Sequence, residues 1–136
     1  MIQRAAYNVV DTSGWLEYLT EAPNAAVFAE AIEDEEHLIV PTMVMVEVFR
    51  WILRERGEAD ALRVAGVLRL SRVVALDDAL ALEAARLGNL HKLPLADSVI
   101  FATAHVHGAV LWTQDAHFEG LPNVEYHAKP KPHAGT

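Results

Sequence analysis

The chain contains no cysteine, which excludes a disulfide framework and any thiolate metal site. A reducing compartment fits that absence, and a cytoplasmic location is expected. Basic charge is scarce: 11 Lys and Arg stand against 19 Asp and Glu, for a net charge of −8. A passive nucleic-acid binder, which coats itself in positive charge, is disfavoured. An enzyme with a local basic stripe and an acidic, metal-filled pocket is not. Long apolar runs are missing as well. No stretch reaches the length of a membrane span, and the start, "MIQRAAYNVVDTSGW", carries too short an apolar run for a signal peptide. There is no repeat and no internal linker.

What remains is a globular composition. Hydrophobic residues make up 52 % of 136 positions, enough to bury a core in a single domain. Most of the arginines (Arg50, Arg54, Arg56, Arg63, Arg69 and Arg72) fall mid-chain, and Glu33 to Glu36 form an acidic run that reads as a solvated helix end.

Short β-leaning apolar runs alternate with helical periodicity. Strands are expected at 5–10, 37–41, 72–76, 109–113 and, less strongly patterned, 124–127. Helices are expected at 12–20, 25–36, 43–56, 58–70, 79–91 and from Pro94 to Gly108. Thr42 is expected to cap the third helix, Gly57 to end it, and Asp77 or Asp78 to cap the fifth. Strands alternating with helix pairs predict a three-layer α/β/α sandwich around a mainly parallel sheet of four to five strands. The domain is expected over 1–127, with a frayed tail, "AKPKPHAGT", over 128–136; its lysines, Lys129 and Lys131, read as solvated rather than RNA-bound.

Four acids depart from this pattern. The functional crevice of an open parallel sheet lies beyond the carboxyl ends of its strands. Asp11 follows the first strand and Asp115 the fourth. Taken alone, each also reads as a helix cap. Glu47 lies early in the helix after the second strand, between Val44 and Trp51 on one side and Arg50 and Arg54 on the other. An ion pair with Arg50, worth about 0.3 kcal/mol, explains it equally well. Asp97 is harder to dismiss. It shares a helical stripe with Ile100, Phe101 and Ala104, and a carboxylate there must be paired, metal-bound or protonated.

Together the four imply more than they do singly. Two unit charges about 4 Å apart repel by about 4 kcal/mol at an effective dielectric near 20, so such a cluster needs cations. An all-oxygen donor set selects Mg²⁺ or Mn²⁺ over Zn²⁺, and such a pocket suits phosphodiester hydrolysis. Thr113, two residues before Asp115, points the same way on an extended chain and can orient a ligand carboxylate. Ser13, two after Asp11, is placed to do likewise. Both hydroxyls also read as capping groups.

The order "VVDTSGWLEYL", "VPTMVMVEV", "LPLADSVIFATA", "LWTQDAHFEGLPNVEY" resembles the PIN-domain ribonucleases, most closely the VapC-type toxins of toxin–antitoxin pairs. The resemblance runs from about Tyr7 to Tyr126. It implies catalytic and metal-binding acids at Asp11, Glu47, Asp97 and Asp115, an assisting hydroxyl at Thr113 and a small polar partner at Ser13. It also implies a parallel-sheet α/β/α fold, often dimeric, Mg²⁺- or Mn²⁺-dependent cleavage of RNA, and an antitoxin that covers the site. Arg50 and Arg54, flanking Glu47, are the candidate contacts to RNA phosphate or antitoxin.

Three other readings remain beside it. A phosphoacceptor receiver domain needs paired acids after its first strand, where this chain has Asp11-Thr-Ser-Gly, and a strand-end Lys, where Lys129 sits in the tail. A non-catalytic binding module would be marked by loss of an acid. A non-toxin RNA-processing nuclease would keep all four. The histidines, among them His105, His107 and His117, read as surface or packing groups, with His117 near enough to Asp115 to sit at a site's rim. Trp15, Trp51 and Trp112 read as core.

Overall fold

The computed structural model describes residues 7–131. Its five strands are β1 (Asn8–Val10), β2 (Leu38–Pro41), β3 (Arg72–Val74), β4 (Val110–Thr113) and β5 (Val124–Tyr126). The six helices are α1 (Thr12–Leu19), α2 (Ala25–Ile32), α3 (Thr42–Arg56), α4 (Glu58–Leu68), α5 (Asp78–His91) and α6 (Leu95–Val106). The expected first-strand residues 5 and 6 lie outside the described residues. All strand pairs are parallel, in the order β3-β2-β1-β4-β5. The receiver-type order, 2-1-3-4-5, is a different one, which removes that rival.

The topology follows from right-handed crossovers. Connections β1 to β2 and β2 to β3 step one way across the sheet and place α1–α4 on one face. The connection from β3 to β4 steps back and carries α5 and α6 on the other. The direction of stepping reverses at β1, so β1 and β4 part company at their carboxyl ends and leave a crevice there.

Val9, Val10, Leu38, Ile39, Val40 and Leu111 are buried in the sheet, and Trp15, Phe28, Val48, Ile52, Leu68, Ile100 and Phe118 cover it. Close approach is specified at Gly14: a Cβ there would stand 2.6 Å from Val10 Cγ1 and 2.8 Å from Phe28. Only glycine lets α1 start this near β1 and α2.

Some boundaries differ from expectation. Helix α2 stops at Ile32, and Glu35–His37 form a separate 3₁₀ turn; the acidic run Glu33–Glu36 is unfavourable at the negative end of a helix dipole. Thr42 does not cap α3 with its side chain. Its Oγ1 instead accepts from the Leu76 amide at 3.2 Å, tying α3 to the segment after β3. Asp77, not Asp78, caps α5 by accepting from Leu80 N at 2.8 Å. Of the three tryptophans Trp15 is fully buried, and Trp51 and Trp112 are partly buried and pack against the core, with Trp112 Nε1 donating to Asn8 Oδ1 at 2.9 Å. Among the described residues no helix is long and apolar enough to cross a membrane.

Candidate active site

The crevice gathers the four acids by four separate routes. Asp11 leaves β1 and is the N-cap of α1, its Oδ1 accepting from Gly14 N at 2.9 Å. Asp115 leaves β4 and caps the 3₁₀ turn Ala116–Phe118, its Oδ1 accepting from His117 N at 2.9 Å. Both capping readings therefore hold, and capping aims each carboxylate over the sheet edge. Glu47 sits in α3, whose N-terminus adjoins the end of β2. Asp97 sits in the first turn of α6. That helix runs down into the start of β4, so its own start lies at the same edge as the other three.

Hydroxyl groups join these pieces. Thr113, fully buried at the end of β4, donates to Asp11 Oδ2 at 2.7 Å and accepts from Asp115 N at 2.9 Å. One side chain thus fixes the acids of two strands relative to each other. Ser13 Oγ donates to Asp11 at 2.8 Å. Thr12 Oγ1 donates to Glu47 Oε1 at 2.5 Å, a contact spanning 35 residues that takes the place of the Arg50 ion pair. Arg50 is exposed, and Arg54 pairs with its neighbour Glu55 at 3.0 Å.

The electrostatics show what the arrangement lacks. Asp11 is 2 % exposed. Burial pushes its pKa up to about 6, and the Asp115 charge adds to this against hydrogen bonds from Thr113, Gly14 and Ser13. Asp97 is also raised to about 6, first by burial, then by repulsion from Asp115 and Glu47, against the opposing influence of His117. Among the described residues no Lys or Arg forms an ion pair with any of the four. Asp11 is buried, the Asp97 and Asp115 side chains are 17 % and 30 % exposed, and the base beside them is the imidazole of His117. An acidic cluster of this kind fits a divalent cation, and its carboxylate oxygens match Mg²⁺ or Mn²⁺.

The PIN domain family model matches residues 9–123, the span that holds the sheet switch point and all four acids. The chain belongs to the PIN-domain family. No curated protein matches it in sequence, but solved structures do in fold. A chain of a toxin–antitoxin complex from Klebsiella pneumoniae superposes with a TM-score of 0.74 at 22 % identity, covering 87 % of this chain and 95 % of that one. DNA-bound VapBC from Salmonella typhimurium gives 0.70 at 14 % identity, covering 90 % and 97 %. The sarcin-ricin loop cleaving toxin VapC20 of Mycobacterium tuberculosis gives 0.67 at 18 %, covering 84 % and 94 %.

One feature of this PIN domain goes further than the sequence reading, which put His117 at the site's rim, and a second lay outside it. His117 is no bystander: its Nδ1 lies 2.9 Å from Asp115 Oδ1 and 3.1 Å from Asp97 Oδ2. The only sequence signal was its place two residues after Asp115. An open groove of about 530 Å³ is also lined by Ser13, Thr20, Trp51, Arg56, Gln114 and Lys129. Its floor is braced by Gln114, which donates to Glu17 Oε1 at 2.8 Å and accepts from Asn24 Nδ2 at 3.1 Å. Arg56 and Lys129 line this groove together with the acidic Glu17, and Arg50 and Arg54 are not among its lining residues.

Proposed function

We propose that this PIN domain is a Mg²⁺- or Mn²⁺-dependent endoribonuclease, the toxin of a toxin–antitoxin pair. The observation that carries the nuclease reading is the convergence of Asp11, Glu47, Asp97 and Asp115 on one sheet edge with no Lys or Arg among the described residues paired to them. The toxin reading rests on the fold shared with toxin–antitoxin proteins. The antitoxin partner, the homodimer and the cytoplasmic location implied by the resemblance belong to the same proposal.

Asp11, Asp97 and Asp115 are the side chains that hold the cation, with Glu47 completing the acidic rim. When bound, the ion offsets their mutual repulsion, lowers the pKa of a water and stabilises charge on the phosphate being cleaved. Thr113 keeps Asp11 and Asp115 at a fixed spacing, so the cluster does not spread when charged. Glu47, anchored by Thr12, is placed to take the proton from the attacking water as its oxygen replaces the leaving oxygen on phosphorus. Arg56 and Lys129 supply phosphate contacts along the groove, and the partly buried Trp51 in its lining offers an edge to a base.

The test is cleavage of total cellular RNA by the antitoxin-free protein with Mg²⁺, with Mn²⁺ and with EDTA, beside Asp97→Asn. Discrete fragments that require both metal and Asp97 are expected. Intact RNA under every metal condition, from a folded protein, refutes the nuclease. It would favour the binding module, to which the groove alone would then belong.

A further inference from the structure

We infer that His117 is a metal ligand through Nδ1, so that the site holds its cation with one nitrogen beside the carboxylate oxygens and prefers Mn²⁺ to Mg²⁺. This rests on the metal-dependent reading above and adds to it the identity of a donor and the order of metal preference.

Geometry is the first support. One ligand atom each from Asp97, Asp115 and His117 lies within 4.8 Å of the other two. The two nitrogen-to-oxygen distances are 2.9 and 3.1 Å. A six-coordinate ion of this class holds its ligands at about 2.1 Å, which puts neighbouring ligands at right angles about 3.0 Å apart. A tetrahedral Zn²⁺ site would place them about 3.4 Å apart. The two observed spacings are those of hydrogen-bonded ion pairs, and they also match neighbouring positions around an octahedral ion, so Nδ1 already stands beside both carboxylates at the separation such an ion requires.

The second support is the scaffold. His117 lies in the 3₁₀ turn that Asp115 caps, so imidazole and carboxylate are presented by one short rigid element. Phe118, next in sequence and fully buried, anchors that element. Phe118 stacks on Phe101 with ring centroids 6.5 Å apart, and Phe101 stands one turn beyond Asp97 on α6. The His117 and Asp97 sides of the site are therefore held in register by a packed aromatic pair. The His117 side chain itself is 58 % exposed, and what holds it is its contact with the Asp97 and Asp115 carboxylates rather than packing. With Nδ1 on the ion, Nε2 carries the ring proton.

The chemical consequence is selectivity. Imidazole nitrogen strengthens binding along the order in which Mn²⁺ and the later transition ions bind N-donors, whereas Mg²⁺ gains little from it. The probe is Mn²⁺ on the full-length protein, read by pulsed electron paramagnetic resonance with histidine in natural-abundance and ¹⁵N-labelled form. A nitrogen coupling that changes with the isotope is expected, and it should vanish in His117→Gln. Calorimetric titration should show that variant losing at least ~10-fold in Mn²⁺ affinity and distinctly less for Mg²⁺. The exposed position makes a folding defect in His117→Gln easy to exclude by circular dichroism. Mn²⁺ binding that depends on Asp97 but shows no nitrogen coupling, or the same coupling in His117→Gln, overturns this inference and leaves the nuclease reading standing. Absence of any Mn²⁺ binding overturns both.

Discussion

Asp97→Asn should stabilise the metal-free protein near neutral pH and leave it unchanged in acid. The Asp97 pKa is raised from 3.8 to about 6 in the fold. A raised folded pKa means that folding favours the protonated form. That contribution is complete below about pH 4 and is lost as the pH climbs through about 6. The interval between the two values corresponds to about 3 kcal/mol against the folded state near neutral pH. Asparagine carries no charge and escapes that penalty, but gives up the contact with the half-exposed His117 ring, worth about 0.5 kcal/mol. Allowing for relaxation of the charged site, a net gain of about 2 kcal/mol is expected. For a domain of this size that is a rise of about 7 °C in Tm. The assay is urea or thermal unfolding in EDTA at about pH 4 and about pH 7, repeated with Mg²⁺. The variant should exceed the parent only at the higher pH. Mg²⁺ should close the gap by stabilising the parent, by about 2.7 kcal/mol at a hundred times its Kd. A variant that is less stable by the same amount at both pH values would show Asp97 to be a structural acid and refute the reasoning.

Other perturbations test the supports around the cluster. Thr113→Val removes a buried hydroxyl that serves both Asp11 and Asp115; it should cost about 1–3 kcal/mol in urea unfolding and abolish RNA cleavage, while Thr113→Ser keeps most of both. Arg56→Ala combined with Lys129→Ala should weaken binding of a single-stranded RNA, measured with Asp97→Asn protein so that nothing is cut. The slope of log K against log salt should flatten by about 1.4, two phosphate contacts' worth. An unchanged slope would remove the groove from the substrate path.

The sequence shows Asp97 clearly because a local rule is broken there: a charge stands inside an apolar helical stripe, and no local partner relieves it. Asp11 and Asp115 are legible because strand ends and helix caps are local features, and parallel topology carries those ends to one edge. Glu47 was half-legible. Helical periodicity put it at the border of the buried face, but its partner, Thr12, lies 35 residues away, so the nearby Arg50 looked equally apt. The Arg56–Lys129 groove was illegible for the same reason, and His117 was legible only as far as a place at the site's rim. Their significance lies in distances to residues on other elements, and no spacing along the chain encodes those. The wrong end assigned to α2 had a different cause: alanine-rich periodicity outweighed the charge repulsion that stops the helix at Ile32.

The sequence by itself determined the alternation of strands and helices and hence the parallel α/β class, and it marked the four acids as candidates, because each follows from periodicity, capping and the cost of burying charge. Only the tertiary structure decided which groups meet. The reversal of strand order at β1 opens the crevice, Thr113 couples two strands into one site, and a stacked Phe101–Phe118 pair sets His117 against Asp97. Contacts of that kind arise when distant segments close on a shared core, so their geometry is a property of the packing rather than of any one segment.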